Sequence, residues 1–110
     1  MQVFFSPDNA FAFETVTIDG TARSLTAATY LKQLGSVANQ VKPATRAFVT
    51  VRTADINISL VAGVTPTATT NGHKMGSDIS FELFGAQIAD FKAIRATGTS
   101  ATIDVTYFLG

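Results

Sequence analysis

Between Ala101 and Phe108 the chain alternates strictly, with Ala101, Ile103, Val105 and Tyr107 on one face and Thr102, Asp104, Thr106 and Phe108 on the other. A period of two belongs to a β-strand with one buried face and does not fit the 3.6-residue repeat of a helix. The pattern recurs upstream. Residues 77–84 place Ile79, Phe81 and Leu83 inward and Ser80 and Glu82 outward, bounded by Gly76 and Gly85. Residues 46–60 place Val49 and Val51 on one face and then Ile56, Ile58 and Leu60 on one face, and the break at Thr53-Ala54-Asp55 predicts a hairpin.

The remaining segments are weaker. Residues 10–18 are rich in Phe, Thr and Val and close at Asp19-Gly20, a hairpin signal into a weak strand at 22–25. Residues 91–95 read as a short strand and 97–100 as the turn into the last one, so the C-terminal half is expected to be a meander. Residues 24–37 carry Leu25, Ala28, Leu31 and Leu34 near helical spacing, and form either a loop or a short helix capped at Ser24 or Thr26. About seven short strands, each burying one face, require a second layer. The expected fold is all-β, an antiparallel sandwich or small barrel with at most one short helix. The 110 residues suit one domain over 1–110.

Sheets of this kind leave edges to be covered. Residues 1–9, led by Val3-Phe4-Phe5, read as an extended arm apolar enough to dock on one. Phe4, Phe5, Tyr107 and Phe108 are the candidate interface residues. Eight basic and eight acidic residues cancel and are scattered, which argues against nucleic acid as a partner. Low net charge on a Thr-, Ser- and Asn-rich surface favours association. The start lacks the basic region and long apolar core of a secretion signal, and no apolar run approaches membrane-spanning length, so neither export nor a membrane partner is expected.

The residues that could carry chemistry are sparse. With no cysteine there is no thiolate site or Cys nucleophile. His73, the single histidine, lies in a segment that reads as a turn and has no second His or Cys for zinc and no activated Ser for a triad. Asp78 and Glu82 would share a strand face, where glycoside chemistry needs carboxyls about 5–9 Å apart, but outward acids opposite Ile79, Phe81 and Leu83 are what any half-buried strand shows. Asp55, Asn57, Asp78 and Asp90 are oxygen ligands near turns without a calcium-loop spacing. Asn57-Ile58-Ser59 matches a glycosylation acceptor but falls inside an expected strand. No phosphate-cradling glycine motif occurs. The nine Phe residues, lacking a polar handle, suit a core or an interface better than a sugar platform. No enzyme activity, cofactor, metal or small-molecule substrate is expected.

Residues 47–108 resemble a group of small structural proteins of tailed bacteriophages. The shared features are Thr53-Ala54-Asp55-Ile56-Asn57-Ile58-Ser59-Leu60, then Thr65-Pro66-Thr67-Ala68-Thr69, Gly72-His73, Asp78, the run from Phe91 through Thr102, and Val105-Thr106-Tyr107. Ser24-Leu25-Thr26-Ala27-Ala28-Thr29-Tyr30 adds weaker support. The middle part is also similar to the chitobiase-type, fibronectin-III-associated β-sandwich, with Ala62 standing where that pattern has Asp.

The phage resemblance implies a virion structural protein, made in the host cytoplasm. Its expected place is the capsid exterior, as a cement or decoration protein that binds the major capsid protein and copies of itself as a homotrimer. The alternative within the same resemblance is a tail, baseplate or fibre sandwich that binds a host glycan or protein.

Overall fold

A computed structural model of the chain describes residues 9–33 and 41–109. The candidate residues Phe4 and Phe5, and the arm up to residue 8, lie outside the described residues, while Asn9 is the first residue of a strand. In chain order the elements are β1 (Asn9–Ile18), β2 (Arg23–Ser24), α1 (Ala27–Tyr30), β3 (Leu31–Gln33), β4 (Val41–Pro43), β5 (Arg46–Arg52) and β6 (Ile56–Ser59). They continue with β7 (His73–Met75), β8 (Ser80–Phe84), α2 (Gln87–Asp90), β9 (Lys92–Arg95) and β10 (Ala101–Leu109).

Two four-stranded antiparallel sheets, ordered β1-β10-β5-β8 and β2-β9-β6-β7, carry the fold, and β3 and β4 form a separate small hairpin. The pairings are nested: β1 with β10, β2 with β9, β5 with β8, and β6 with β7. A chain that pairs first with last and works inward in this way is one long antiparallel hairpin. Rolling it up adds the β10–β5 and β6–β9 ladders and divides it between two sheets. This is the strand order of a jelly roll. The all-β sandwich expected from the alternation is therefore present, with, among the described residues, eight strands in its two main sheets and two helices of a single turn each.

The inner faces follow the period of two. Ala101, Ile103, Val105 and Tyr107 of β10, Ala47, Val49 and Val51 of β5, and Leu83 of β8 meet Ile56 and Ile58 of β6 and Ala93 of β9 in one buried cluster. Each fully buried Val, Leu or Ile side chain in such a cluster contributes about 1.5–3 kcal/mol relative to exposure. Phe91, just before β9, is also buried, and its ring lies 6.2 Å from that of Phe81, joining the two sheets.

The connections differ from the sequence expectation. Both turns read as hairpins are corners at which the chain leaves one sheet for the other. Thr53-Ala54-Asp55 carries the chain from β5 to β6 across the core, with Ala54 buried and Thr53 at a φ of 78°. Asp19-Gly20 carries it from β1 to β2, where the Asp19 carboxylate accepts from the Thr21 amide (3.1 Å) and the Arg23 guanidinium (2.8 Å). No meander forms, because β8, β9 and β10 alternate between sheets. In the 24–37 segment the helix is one turn, Ala27–Tyr30, and Leu31–Gln33 turns extended; residues 34–37 lie outside the described residues. His73, expected in a turn, begins β7. Ile79, expected inward, precedes β8 and is half exposed.

Candidate functional site

The outer face of the β1-β10-β5-β8 sheet splits into two halves. Strand register sets the rows: Phe108, Arg46 and Phe84 lie side by side on β10, β5 and β8, and Phe13, Thr106, Phe48 and Glu82 form the next row across β1 to β8. These positions are opposite in parity to the buried Tyr107, Ala47 and Leu83, so their side chains stand on the outside. Phe13 is 61% exposed, Phe84 54% and Phe48 39%. Four phenylalanines thus make an aromatic strip at the end of the sheet where β1 begins.

Arg46 lies flat within the strip and is itself buried. Its guanidinium carbon stands 3.8 Å from the centre of the Phe108 ring, and its Nη1 donates to Glu82 Oε1 at 3.0 Å. Stacking and pairing together remove the Arg46 charge from the surface, so the strip presents ring faces over a neutralised ion pair. The other half of the face is polar. Asp104 accepts from the Thr15 hydroxyl at 2.8 Å and from Arg52 Nε at 2.6 Å, and Thr50 and Ser80 share a hydrogen bond of 2.9 Å. The Thr15 hydroxyl first, and then Arg52, hold the Asp104 carboxyl below the usual carboxylate range.

On the second sheet the central strand β6 is covered on its outer side. Outward-directed Asn57 and Ser59 of β6 are both buried because the 60–72 loop returns over them. Asn57 Nδ2 donates to the Thr67 carbonyl at 2.8 Å, Pro66 is buried, and a Cβ at Gly72 would lie 2.6 Å from the Ile58 carbonyl oxygen. The loop is therefore seated on the strand and not projecting from it. The buried Asn57 side chain already serves this contact, which removes it as a glycosylation acceptor in the folded chain.

The proposed interface residues separate. Phe108 stands in the strip. Tyr107 points the other way and is 0% exposed, so it is a core residue of this fold and presents nothing to a partner. Its hydroxyl donates to Glu14, an inward-facing carboxylate of β1 that also accepts from the Thr26 amide (3.2 Å) and hydroxyl (2.7 Å). Burial first, and then Glu14, push the Tyr107 hydroxyl pKa up. Thr26 precedes α1, so this inner network fastens the α1–β3 excursion to the sandwich. The ring of Tyr30 in α1 lies 6.1 Å from that of Tyr107, tilted at 56° to it.

The chemistry-bearing candidates are not brought together. Asp78 lies in the turn before β8 at a φ of 69°, outside the strand that carries Glu82, and Glu82 is engaged by Arg46. Asp55 accepts from the Ser77 amide at 2.9 Å and lies 3.4 Å from Lys74 Nζ; the Ser77 bond leads in lowering its pKa. Among the described residues no three His, Asp or Glu side chains gather as a metal-binding group. His73 is exposed on β7.

An apolar cleft of about 380 Å³ opens at the same end of the sandwich as the strip, between the β3–β4 hairpin and α2. Tyr30, Pro43, Ala44, Ile88 and Ala89 line it, and Thr45 and Gly85 form its rim beside Arg46 and Phe84.

The strip was readable in the sequence but not recognised there. Once Val49 and Val51 are inward, Phe48 must be outward; once Leu83 is inward, so must Phe84. A phenylalanine at an outward strand position is the signal. Comparison with protein families, with curated proteins and with solved structures found no match.

Proposed function

We propose that this chain is a structural protein of a tailed-phage virion. In this reading it is a cement or decoration protein that sits on the capsid exterior, binds the major capsid protein and copies of itself, and acts as a homotrimer without catalysis. The observation that carries the reading is the uncovered aromatic strip on a jelly-roll sandwich whose other sheet has its central strand β6 covered by the chain's own loop.

Four physical arguments support it. Jelly rolls recur in viral capsid and lectin domains. Exposed aromatics beside a polar, hydrogen-bonded zone have the make-up of an interface core with its rim. The formal net charge is zero, so copies crowd on a shell without mutual repulsion. Many modest contacts repeated around a shell add up through multivalency. Fold alone does not decide function, and the strip is the feature that does the arguing.

The test is to separate purified particles into heads and tails and to find the chain by mass spectrometry. Many copies on heads support the reading. A chain confined to tails turns attention to host-glycan or host-protein binding at a tail or fibre, and a chain in neither fraction removes the virion reading.

A further inference from the structure

We propose that the outer edge of β1 is an interface between two copies of this chain, which pair β1 against β1, antiparallel, with Thr15 opposite Thr15. The pairing goes beyond the virion reading, does not rest on it, and is tested on the isolated chain. On a shell of trimers it would join one trimer to the next.

The first argument is which backbone groups the fold leaves over. Val51 N–H donates to the Ile79 carbonyl at 2.9 Å and Gly85 N–H to the Thr45 carbonyl at 3.0 Å. Odd-numbered residues of β5 therefore turn their backbone groups toward β8 and even-numbered ones toward β10. Carried through the register, Ile103, Val105 and Tyr107 of β10 turn toward β1, where Val16, Glu14 and Ala12 stand opposite them. Phe13, Thr15 and Thr17 then turn N–H and C=O to the outside, where among the described residues no strand and no hydrogen bond meets them. All three residues are exposed.

The second argument is the contrast with the other edge of the same sheet. By the same parity Phe84 of β8 turns outward, and its N–H is taken by Gln87 Oε1 at 2.9 Å as α2 begins. That edge is closed by the chain itself. β1 has ten residues with no Pro, Lys or Arg among them. Its one charged side chain, Glu14, faces inward and is held by Tyr107 and Thr26. An open edge of this length and composition is a template for another strand.

The third argument selects the occupant. The regular stretch of β1, residues 12–18, is centred on Thr15, which is itself one of the outward-turned residues. Antiparallel pairing about Thr15 sets Phe13 opposite Thr17 and Glu14 opposite Val16. It uses the whole stretch over about 23 Å and forms about six hydrogen bonds, two for each of three pairs. The register that sets Phe13 opposite Thr15 opposes Glu14 to Glu14, and the one that sets Thr15 opposite Thr17 runs Phe13 past the end of the strand. The edge is thus complementary to itself in one full register. A formal net charge of zero adds no repulsion between copies. Pairing through the edge leaves the outer face open, so each copy keeps its aromatic strip.

The chain has no cysteine, so disulfide capture reads the register directly. Opposed residues of a hydrogen-bonded pair lie about 5.5 Å apart at Cα, within the span of a disulfide. In the full chain, concentrated and mildly oxidised, Thr15→Cys is expected to form covalent dimers roughly tenfold faster than Thr17→Cys, because in this register the two Thr17 positions stand about 13 Å apart along the strands. The same order is expected in a Phe84→Thr background, which alters the strip and leaves β1 untouched. Equal rates for the two cysteines, or an order lost together with Phe84, overturn the pairing.

A proline variant tests the hydrogen bonds. Thr15→Pro removes an N–H that β10 does not use, and proline is accepted at such a position of an edge strand. Phe13→Cys with Thr17→Cys, which this register sets face to face, is expected to give covalent dimers, and adding Thr15→Pro is expected to cut their yield at least fivefold while the thermal transition stays cooperative. Capture that survives the proline overturns the pairing.

Discussion

The two outer faces of this sandwich solve the same problem differently. On the β2-β9-β6-β7 sheet the chain covers itself: the 60–72 loop lies across β6, Pro66 is buried, and Asn57 ties the loop down through Thr67. On the β1-β10-β5-β8 sheet no loop returns among the described residues, and Phe13, Phe48 and Phe84 stand open. The contrast separates two uses of apolar surface. The covered strand serves folding of the single chain, and in the proposed function the bare face is the one that meets a partner.

That separation gives a ranked set of expectations. The largest effect belongs to the covered face. Gly72→Ala puts a Cβ against a backbone oxygen that cannot rotate away, so it is expected to lift the loop and cost about 2 kcal/mol, as overpacking does. The check is a lower urea midpoint at unchanged slope. A wild-type midpoint would show that the loop contributes little, and the contrast between the faces would fail.

A smaller effect of opposite sign lies at the corner joining the sheets. Thr53 is a β-branched residue at a φ of 78°, where an L side chain costs about 1–2 kcal/mol. Thr53→Gly removes that cost and adds some backbone entropy to the unfolded chain, for a net gain of about 0.5–1 kcal/mol in the same titration.

Smaller again is the response of the bare face to substitution. Phe13→Thr and Phe84→Thr keep strand propensity and lose only partly buried area, so each is expected to change folding stability by about 0.5 kcal/mol or less. The same variants are expected to weaken self-association measured by sedimentation equilibrium. Loss of folding without loss of association would reverse the assignment of this face.

The weakest expected effect is one of pH. The folded Asp104 carboxyl titrates below its ordinary value of 3.8, so its contribution is fully present above that value and is lost as pH falls toward the folded value. Asp19, held at about 2 by the Arg23 and Thr21 hydrogen bonds, and Asp55 act with the same sign. The urea midpoint should hold steady from neutral pH to near pH 4 and then fall. Asp104→Asn should flatten part of that fall, and an unchanged acid limb would show that the polar half of the bare face contributes nothing to folding.

How much of this was legible in the residues depends on what alternation encodes. It reports which face a side chain takes, and for β10 and β5 it did so without error: Ile103, Val105, Val49 and Val51 are all fully buried. It does not report which strand lies alongside. Asp19-Gly20 and Thr53-Ala54-Asp55 have turn composition whether the chain folds back on itself or crosses to the other sheet, so two corners read as hairpins and the nested pairing stayed hidden. β7 is three residues long, too short to show a period. β6 is buried on both faces, INIS without an outer side, because the 60–72 loop that follows it doubles back over it, and alternation carries no sign of that return. At the candidate site, the sequence offers Phe108 as an interface residue and not Phe48 or Phe84, since residue type makes a phenylalanine either core or interface and only the parity of its strand places these two outside. Tyr107 shows the converse. Offered as an interface residue beside Phe108, it has the inward parity of Val105, and an inward-facing Glu14 on β1 satisfies its hydroxyl in the interior.

The most direct test of the account is a cryo-electron microscopy reconstruction of purified heads at a resolution that shows side chains. The account predicts many copies of the chain on the shell, with Phe48 and Phe84 in contact with protein. Heads that lack the chain, or that carry it with both phenylalanines facing water, would contradict it.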